Sequence, residues 1–159
     1  MRKMALLACL GVFSACDTVL SDDANAAVTL TLDGGGPVEL VHSVGLSRVQ
    51  LTPPLGREID LSFIYNDPAF ELLLRVDGTE HEEGERLPLP HPDVELSVDY
   101  DGATFAPVPE DAGVLILQIF DVDDERGAAL VNLDLDVRLS DESARSLEVT
   151  GYVEGSVGQ

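Results

Sequence analysis

From residue 28 onward, hydrophobic and polar side chains alternate in short runs. Val28, Leu30 and Leu32 alternate with Thr29 and Thr31, and Ile59, Leu61, Phe63 and Tyr65 alternate with Glu58, Asp60 and Ser62. Phe70, Leu72, Leu74 and Val76 repeat the pattern, as do Val94, Leu96, Val98 and Tyr100. A period of two is the signature of a strand with one face buried. Val38 to His42, Leu46 to Thr52 and Ala103 to Ala106 are shorter strand candidates. A brief helix over Ala69 to Arg75 is the one competing local reading.

The punctuation between runs is that of turns. Asp33-Gly34-Gly35-Gly36-Pro37, Asn66-Asp67-Pro68, Asp77-Gly78 and Asp101-Gly102 each interrupt a run, and Asp-Gly pairs favour tight hairpins. Val114 to Phe120 is apolar except at Gln118 and predicts a central strand covered on both faces. Thr79 to Pro92 differs: glutamates surround His81, and Pro88, Pro90 and Pro92 recur at every second position. Proline at that density removes ladder donors and predicts a surface excursion or an edge segment.

The two most regular runs come last. Val131, Leu133, Leu135, Val137 and Leu139 share one side of a strand, and Leu147, Val149, Val153 and Val157 share one side of its partner, together with Gly151 and Gly155. Pairing Leu139 with Leu147 sets Arg138 opposite Glu148 and Asp136 opposite Thr150. A shift by two would oppose Asp136 and Glu148, a like-charge pair that is unfavourable, so the first register is expected. About nine or ten strands without a sustained helical period predict an all-β antiparallel β-sandwich over residues 27–159, with a closed barrel as the alternative.

The N-terminus follows different rules. Arg2 and Lys3 precede an uncharged apolar run from Met4 to Ala15, then Cys16. This is signal-peptide anatomy, and the run is shorter than the roughly 20 residues a spanning helix needs. Ser14-Ala15-Cys16 resembles the lipobox of bacterial lipoproteins, with Phe13 where Leu is usual. Leu6-Leu7-Ala8-Cys9 fits the motif by letters but leaves too short an apolar segment before it. The resemblance implies removal of residues 1–15, acylation of Cys16 and anchoring in a lipid bilayer, where each buried CH₂ contributes about 0.8 kcal/mol and two chains hold stably. Residues 16–26 then form a tether. Asp17 is similar to an inner-membrane retention signal of some bacterial lipoproteins, a rule that varies among bacteria, so the choice of membrane stays open. The alternative is a secreted protein cut after Cys16 or after Ala24-Asn25-Ala26.

Charge narrows the possible partners. Without Arg2 and Lys3 the chain has seven basic residues, all arginine, against 30 acidic ones, which takes the formal charge from −21 to −23. Such a surface repels nucleic acid and anionic headgroups, and the lack of lysine excludes Schiff-base chemistry. The only cysteines are Cys9 and Cys16, so the domain rests on packing without an internal disulfide.

Few residues invite catalytic or metal chemistry. No serine sits in a Gly-x-Ser-x-Gly setting, and the triple glycine at 34–36 is followed by neither lysine nor a helical pattern, as a P-loop would need. His81-Glu82-Glu83-Gly84-Glu85 lacks the second histidine of a helical zinc motif and reads as a solvated acidic loop, with His91 exposed and His42 ending a strand. Asp121, Asp123 and Asp124 in one acidic loop are the calcium candidates. They are not an EF-hand, because the sixth and twelfth positions counted from Asp121 hold Arg126 and Asn132.

The expectation is therefore a non-enzymatic envelope lipoprotein that binds or scaffolds something outside the cytoplasm, with an envelope protein as the candidate partner. It looks like the small β-sandwich lipoproteins of Gram-negative envelopes, which lends it no site residues. A calcium- or carbohydrate-binding module is the first alternative, and would be favoured by Tyr65, Tyr100 and Tyr152 exposed on one face. A hydrolase using paired carboxylates is the second.

Overall fold

The computed structural model describes residues 24–42, 48–51, 58–77, 81–108, 112–123 and 128–157. They form eleven strands and no helix: β1 (Ala24–Leu32), β2 (Val38–His42), β3 (Arg48–Leu51), β4 (Glu58–Asn66), β5 (Ala69–Asp77), β6 (Arg86–Pro88), β7 (Val94–Tyr100), β8 (Ala103–Pro107), β9 (Gly113–Asp123), β10 (Ala128–Ser140) and β11 (Ser146–Val157). All pairings are antiparallel, in the order β2-β1-β11-β10-β8-β7-β5-β4-β3. β9 also pairs with β10, and β6 pairs with β9. The fold is the expected all-β, sandwich-like arrangement.

Two inner faces supply the core. Ile59, Leu61 and Phe63 of β4, Phe70, Leu72, Leu74 and Val76 of β5, and Val94, Leu96 and Val98 of β7 are buried on one layer. Val28 and Leu30 of β1, the odd-numbered residues 131–139 of β10, and Leu147, Val149 and Val153 of β11 are buried on the other. Each set is the apolar half of a period-two run, so burial follows from alternation in the sequence. The helix alternative over Ala69 to Arg75 gives way to β5 for the same reason.

β10 and β11 pair in the register that charge favours, with Leu139 opposite Leu147 and Asp136 opposite Thr150. Arg138 opposes Glu148, and its Nη2 donates to Glu148 Oε1 at 2.9 Å. The outer face of β4, β5 and β7 obeys the same logic. Asp60, Arg75 and Glu95 form one row across three strands, and Arg75 donates to Asp60 at 2.6 Å and to Glu95 at 3.2 Å.

The structure departs from the sequence pattern in several places. β1 begins at Ala24, upstream of the expected domain start at residue 27; Ala26 is buried opposite Val153, and Asn25 donates to Glu154 at 3.0 Å. Asp77-Gly78 is not flanked by a hairpin pair, because β5 pairs with β7 while β6, the next strand, pairs with β9 in the other layer; Gly78 itself lies outside the described residues. The apolar run of β9 reflects a β-bulge. Leu117 opposes Leu133 while Ile119 opposes Asn132, so Gln118 is the extra residue and changes the parity of the strand. Leu115 and Leu117 face inward before it, and Phe120 and Val122 after it. A run that is apolar in both parities thus serves one buried face.

The β10–β11 connection is held by one carboxylate. Asp141 Oδ1 accepts the backbone N–H groups of Ser143 and Arg145, both at 2.9 Å, and Oδ2 accepts Arg145 Nε at 2.7 Å. Arg145 also reaches Asp101 in the β7–β8 turn at 2.9 Å. The Arg145 side-chain hydrogen bond, with the two backbone N–H groups behind it, holds the Asp141 carboxyl below the usual carboxylate range. A lowered folded-state pKa stabilises the fold above the unfolded value of about 3.9 and ceases to do so as the pH falls through the folded value. Asp141→Asn is therefore expected to lower the urea midpoint at neutral pH, with wild type and variant converging below about pH 4. A gap that stays constant into acid would contradict this assignment.

Candidate metal centre

The connection between β5 and β7 is anchored to the edge of β9. Gly84 N–H donates to Leu117 O at 2.6 Å, Leu117 N–H to Glu85 O at 2.9 Å, and Leu89 N–H to Gly113 O at 2.9 Å. Leu87 and Leu89 are buried. These alternating leucines and backbone bonds draw in a segment whose composition is otherwise that of an exposed loop. The expectation of a solvated loop around His81 is thereby corrected: His81 is 6 % exposed, the one buried polar or charged residue among those described.

A local turn aims this histidine. Glu85 N–H donates to Glu82 O at 3.3 Å, with Gly84 at a φ of 84°. The turn returns the Glu85 side chain to His81, placing Oε2 at 3.0 Å from Nδ1. An ionised carboxylate can only accept, so Nδ1 carries the proton. That bond is the main reason the Glu85 carboxyl lies below its ordinary range, with the Glu82 backbone N–H adding to it.

The other ring nitrogen faces a second carboxylate. His81 Nε2 lies 3.2 Å from Asp93 Oδ2, yet it is buried and makes no hydrogen bond. Asp93 is placed by the Pro90-His91-Pro92-Asp93 turn, in which Val94 N–H donates to His91 O at 3.2 Å. The same turn puts His91 Nδ1 3.6 Å from Asp93 Oδ2, where it accepts the Asp93 N–H at a long 3.3 Å. The two imidazoles meet edge to face, with centroids 5.4 Å apart. His91, expected to be exposed, is half-buried, with a side chain 23 % exposed. Ligand atoms of His81, His91 and Asp93 all lie within 4.8 Å of one another, the one such group of three among the described residues.

The other sequence candidates are dispersed. Asp121 and Asp123, expected in an acidic loop, belong to β9 itself, opposite Leu130 and Ala128. Two residues apart on one strand, they project from the same face about 7 Å apart at Cα and do not wrap around a point as loop ligands would. Asp124 lies outside the described residues, as does Cys16. Tyr65 and Tyr100 flank Phe70 in one row across β4, β5 and β7. Both are half-buried against the core beside an open depression of about 470 Å³. Tyr152 is on β11, in the other layer, so the three tyrosines do not form one exposed platform.

Comparison with protein-family models, curated proteins and solved structures finds no match for this chain. Sequence reasoning weighed His81 against its neighbouring glutamates and missed the partners ten and twelve positions on. The available signal was His91-Pro92-Asp93, two potential ligands on either side of a proline that restricts the turn between them.

Proposed function

We propose that this chain is a bacterial envelope lipoprotein, anchored through acylated Cys16, whose all-β domain is a non-enzymatic binding or scaffolding module outside the cytoplasm. The observation that carries this reading is the N-terminal order of Arg2-Lys3, the apolar run Met4 to Ala15, and Cys16 after two small residues. With the first strand starting at Ala24, only residues 17–23 separate it from the anchor, a reach of about 25 Å fully extended. Anchoring would therefore hold the Ala24 end of the domain close to the bilayer. The charge of the processed chain opposes adsorption onto anionic headgroups, so the acyl chains would supply the attachment.

The test is expression in a Gram-negative host fed an alkyne-bearing palmitate analogue. Wild type should label, partition with membranes and show Cys16 as its mature N-terminal residue by mass spectrometry. Cys16→Ser should lose the label and leave the membrane fraction, while Cys9→Ser should behave as wild type. Labelling that persists in Cys16→Ser, or a mature N-terminus elsewhere, would refute the assignment.

A further inference from the structure

We propose that His81, His91 and Asp93 form a three-ligand site for a divalent transition-metal ion of the zinc type, with Glu85 orienting His81 from behind. The inference is independent of membrane anchoring. It starts from the ring of His81, whose Nδ1–H is committed to Glu85. In the neutral ring Nε2 is an unprotonated acceptor lying 3.2 Å from an anionic oxygen, inside a buried setting. Two electron-rich atoms at that distance repel, and the contact becomes favourable once a cation, a proton or a metal ion, is shared by the pair.

Geometry separates the two cations that could serve. A proton on Nε2 makes a strong hydrogen bond only with N, H and O close to a line, and Nε2 makes no hydrogen bond here, so a proton would use this contact only as an unaligned ion pair. A metal ion requires the opposite, a bent N–metal–O angle. Two ligand atoms each 2.0–2.1 Å from a tetrahedral ion lie about 3.3 Å apart, close to the observed 3.2 Å. Asp93 Oδ2 is 3.6 Å from His91 Nδ1, within the range of a second, wider ligand–metal–ligand angle. Metal binding there would replace only the long Asp93 N–H contact to Nδ1.

The donor set selects the class of ion. Two imidazoles and one carboxylate suit zinc and its neighbours, whereas calcium and magnesium prefer oxygen donors throughout. Glu85 on the far nitrogen of His81 completes a carboxylate–histidine–metal relay, which fixes the tautomer and strengthens the ligand. The site is open on one side, because the side chains of Asp93 and Glu85 are 43 % and 42 % exposed, so an ion can enter and take a fourth ligand from solvent. Sealed under that ion, residues 81–93 would be tied across the turn that carries β6 along β9.

The experiment is calorimetric titration of the full chain, stripped with a chelator, with ZnCl₂, and in parallel with CaCl₂ and MgCl₂ at matched ionic strength. One Zn²⁺ per chain is expected, at least 100-fold tighter than Ca²⁺, with a saturating rise in melting temperature. His91→Ala and Asp93→Asn should each weaken Zn²⁺ at least 100-fold, Glu85→Gln about 10- to 100-fold, and His42→Ala not at all. Co²⁺ should give visible absorption in wild type that is lost in His91→Ala. His81→Ala belongs to the series where its circular dichroism matches wild type; the more exposed His91 and Asp93 carry the test otherwise. Zn²⁺ binding no tighter than Ca²⁺, or equal binding by wild type and a His91→Ala/Asp93→Asn double variant, would overturn the proposal and assign any uptake to the acidic surface.

Discussion

Gly151→Ala is expected to be among the most damaging single substitutions in this domain, costing on the order of 3 kcal/mol or more, the sum of overpacking and a strained backbone. Gly151 lies in the interior of β11, between Val28 of β1 and Leu135 of β10. Its φ is 133°, where L side chains are rarely found, and an added Cβ would stand 2.1 Å from Ala27 O and 2.8 Å from Val28 Cα. Both obstacles are backbone, so no rotamer change relieves them; β1 would have to move off β11. Gly113 repeats the geometry, with a φ of 95° and a Cβ position 2.1 Å from Asp136 O. Gly36, in the β1–β2 connection, has open space around its Cβ position. Urea unfolding should show large, similar losses for Gly151→Ala and Gly113→Ala and almost none for Gly36→Ala. An unchanged midpoint in Gly151→Ala would mean that β1 does not lie against β11 as described.

Gly151 also marks the boundary of what the sequence makes legible. Its place on the inward side of β11 follows from alternation with Val149 and Val153, but the close approach of β1 depends on a residue far away in the chain. The same division runs through the fold. Arg138 and Glu148 fix the β10–β11 register because they are local and oppositely charged. The Asp101-Gly102 turn is readable because both residues take positive φ, 50° and 74°, a demand that few other pairs meet. The bulge at Gln118 is not readable, since an apolar run in both parities looks the same whether a strand is covered twice or changes phase. β1 reaches back to Ala24 unannounced, because alanine carries little hydrophobic signal and Ala26 is buried only through its partner Val153.

The candidate metal centre was hidden for a related reason. Glutamates and prolines around His81 are the composition of a solvated loop, and residue by residue that is largely correct: Glu82, Glu83 and Pro90 are exposed. What draws His81 inward is Leu87 and Leu89, together with three backbone bonds to β9, a strand that begins more than 30 residues after it. Local composition reports the solvent side of such a segment, and only tertiary pairing reports the other.

Phe105→Ala is expected to cost about 3–5 kcal/mol, the range for deleting a buried aromatic ring. Phe105 is fully buried, at 0 % exposure, and its place in β8 raises the stakes. Ala103, Thr104 and Phe105 pair with β7 in one layer, and Ala106 and Pro107 pair with Ser140 and Leu139 of β10 in the other. Phe105 is thus the last residue before the chain changes layers, and its ring fills the corner between them. The Arg145 guanidinium sits 5.4 Å from the ring centroid, held there by Asp141 and Asp101. Removing the ring would open the corner and leave a charge without its aromatic partner. Phe105→Leu should recover much of the packing but none of the cation–π contact. A double-mutant cycle of Phe105→Leu with Arg145→Gln, read by urea midpoints, separates the two: non-additive losses indicate coupling through the ring face, whereas additive losses would make Phe105 a packing residue alone. Because β8 has only two ladder pairs on β10, the layers should separate first at this corner. Amide exchange at Ala106 is accordingly expected to accelerate more in Phe105→Ala than exchange in the middle of β10.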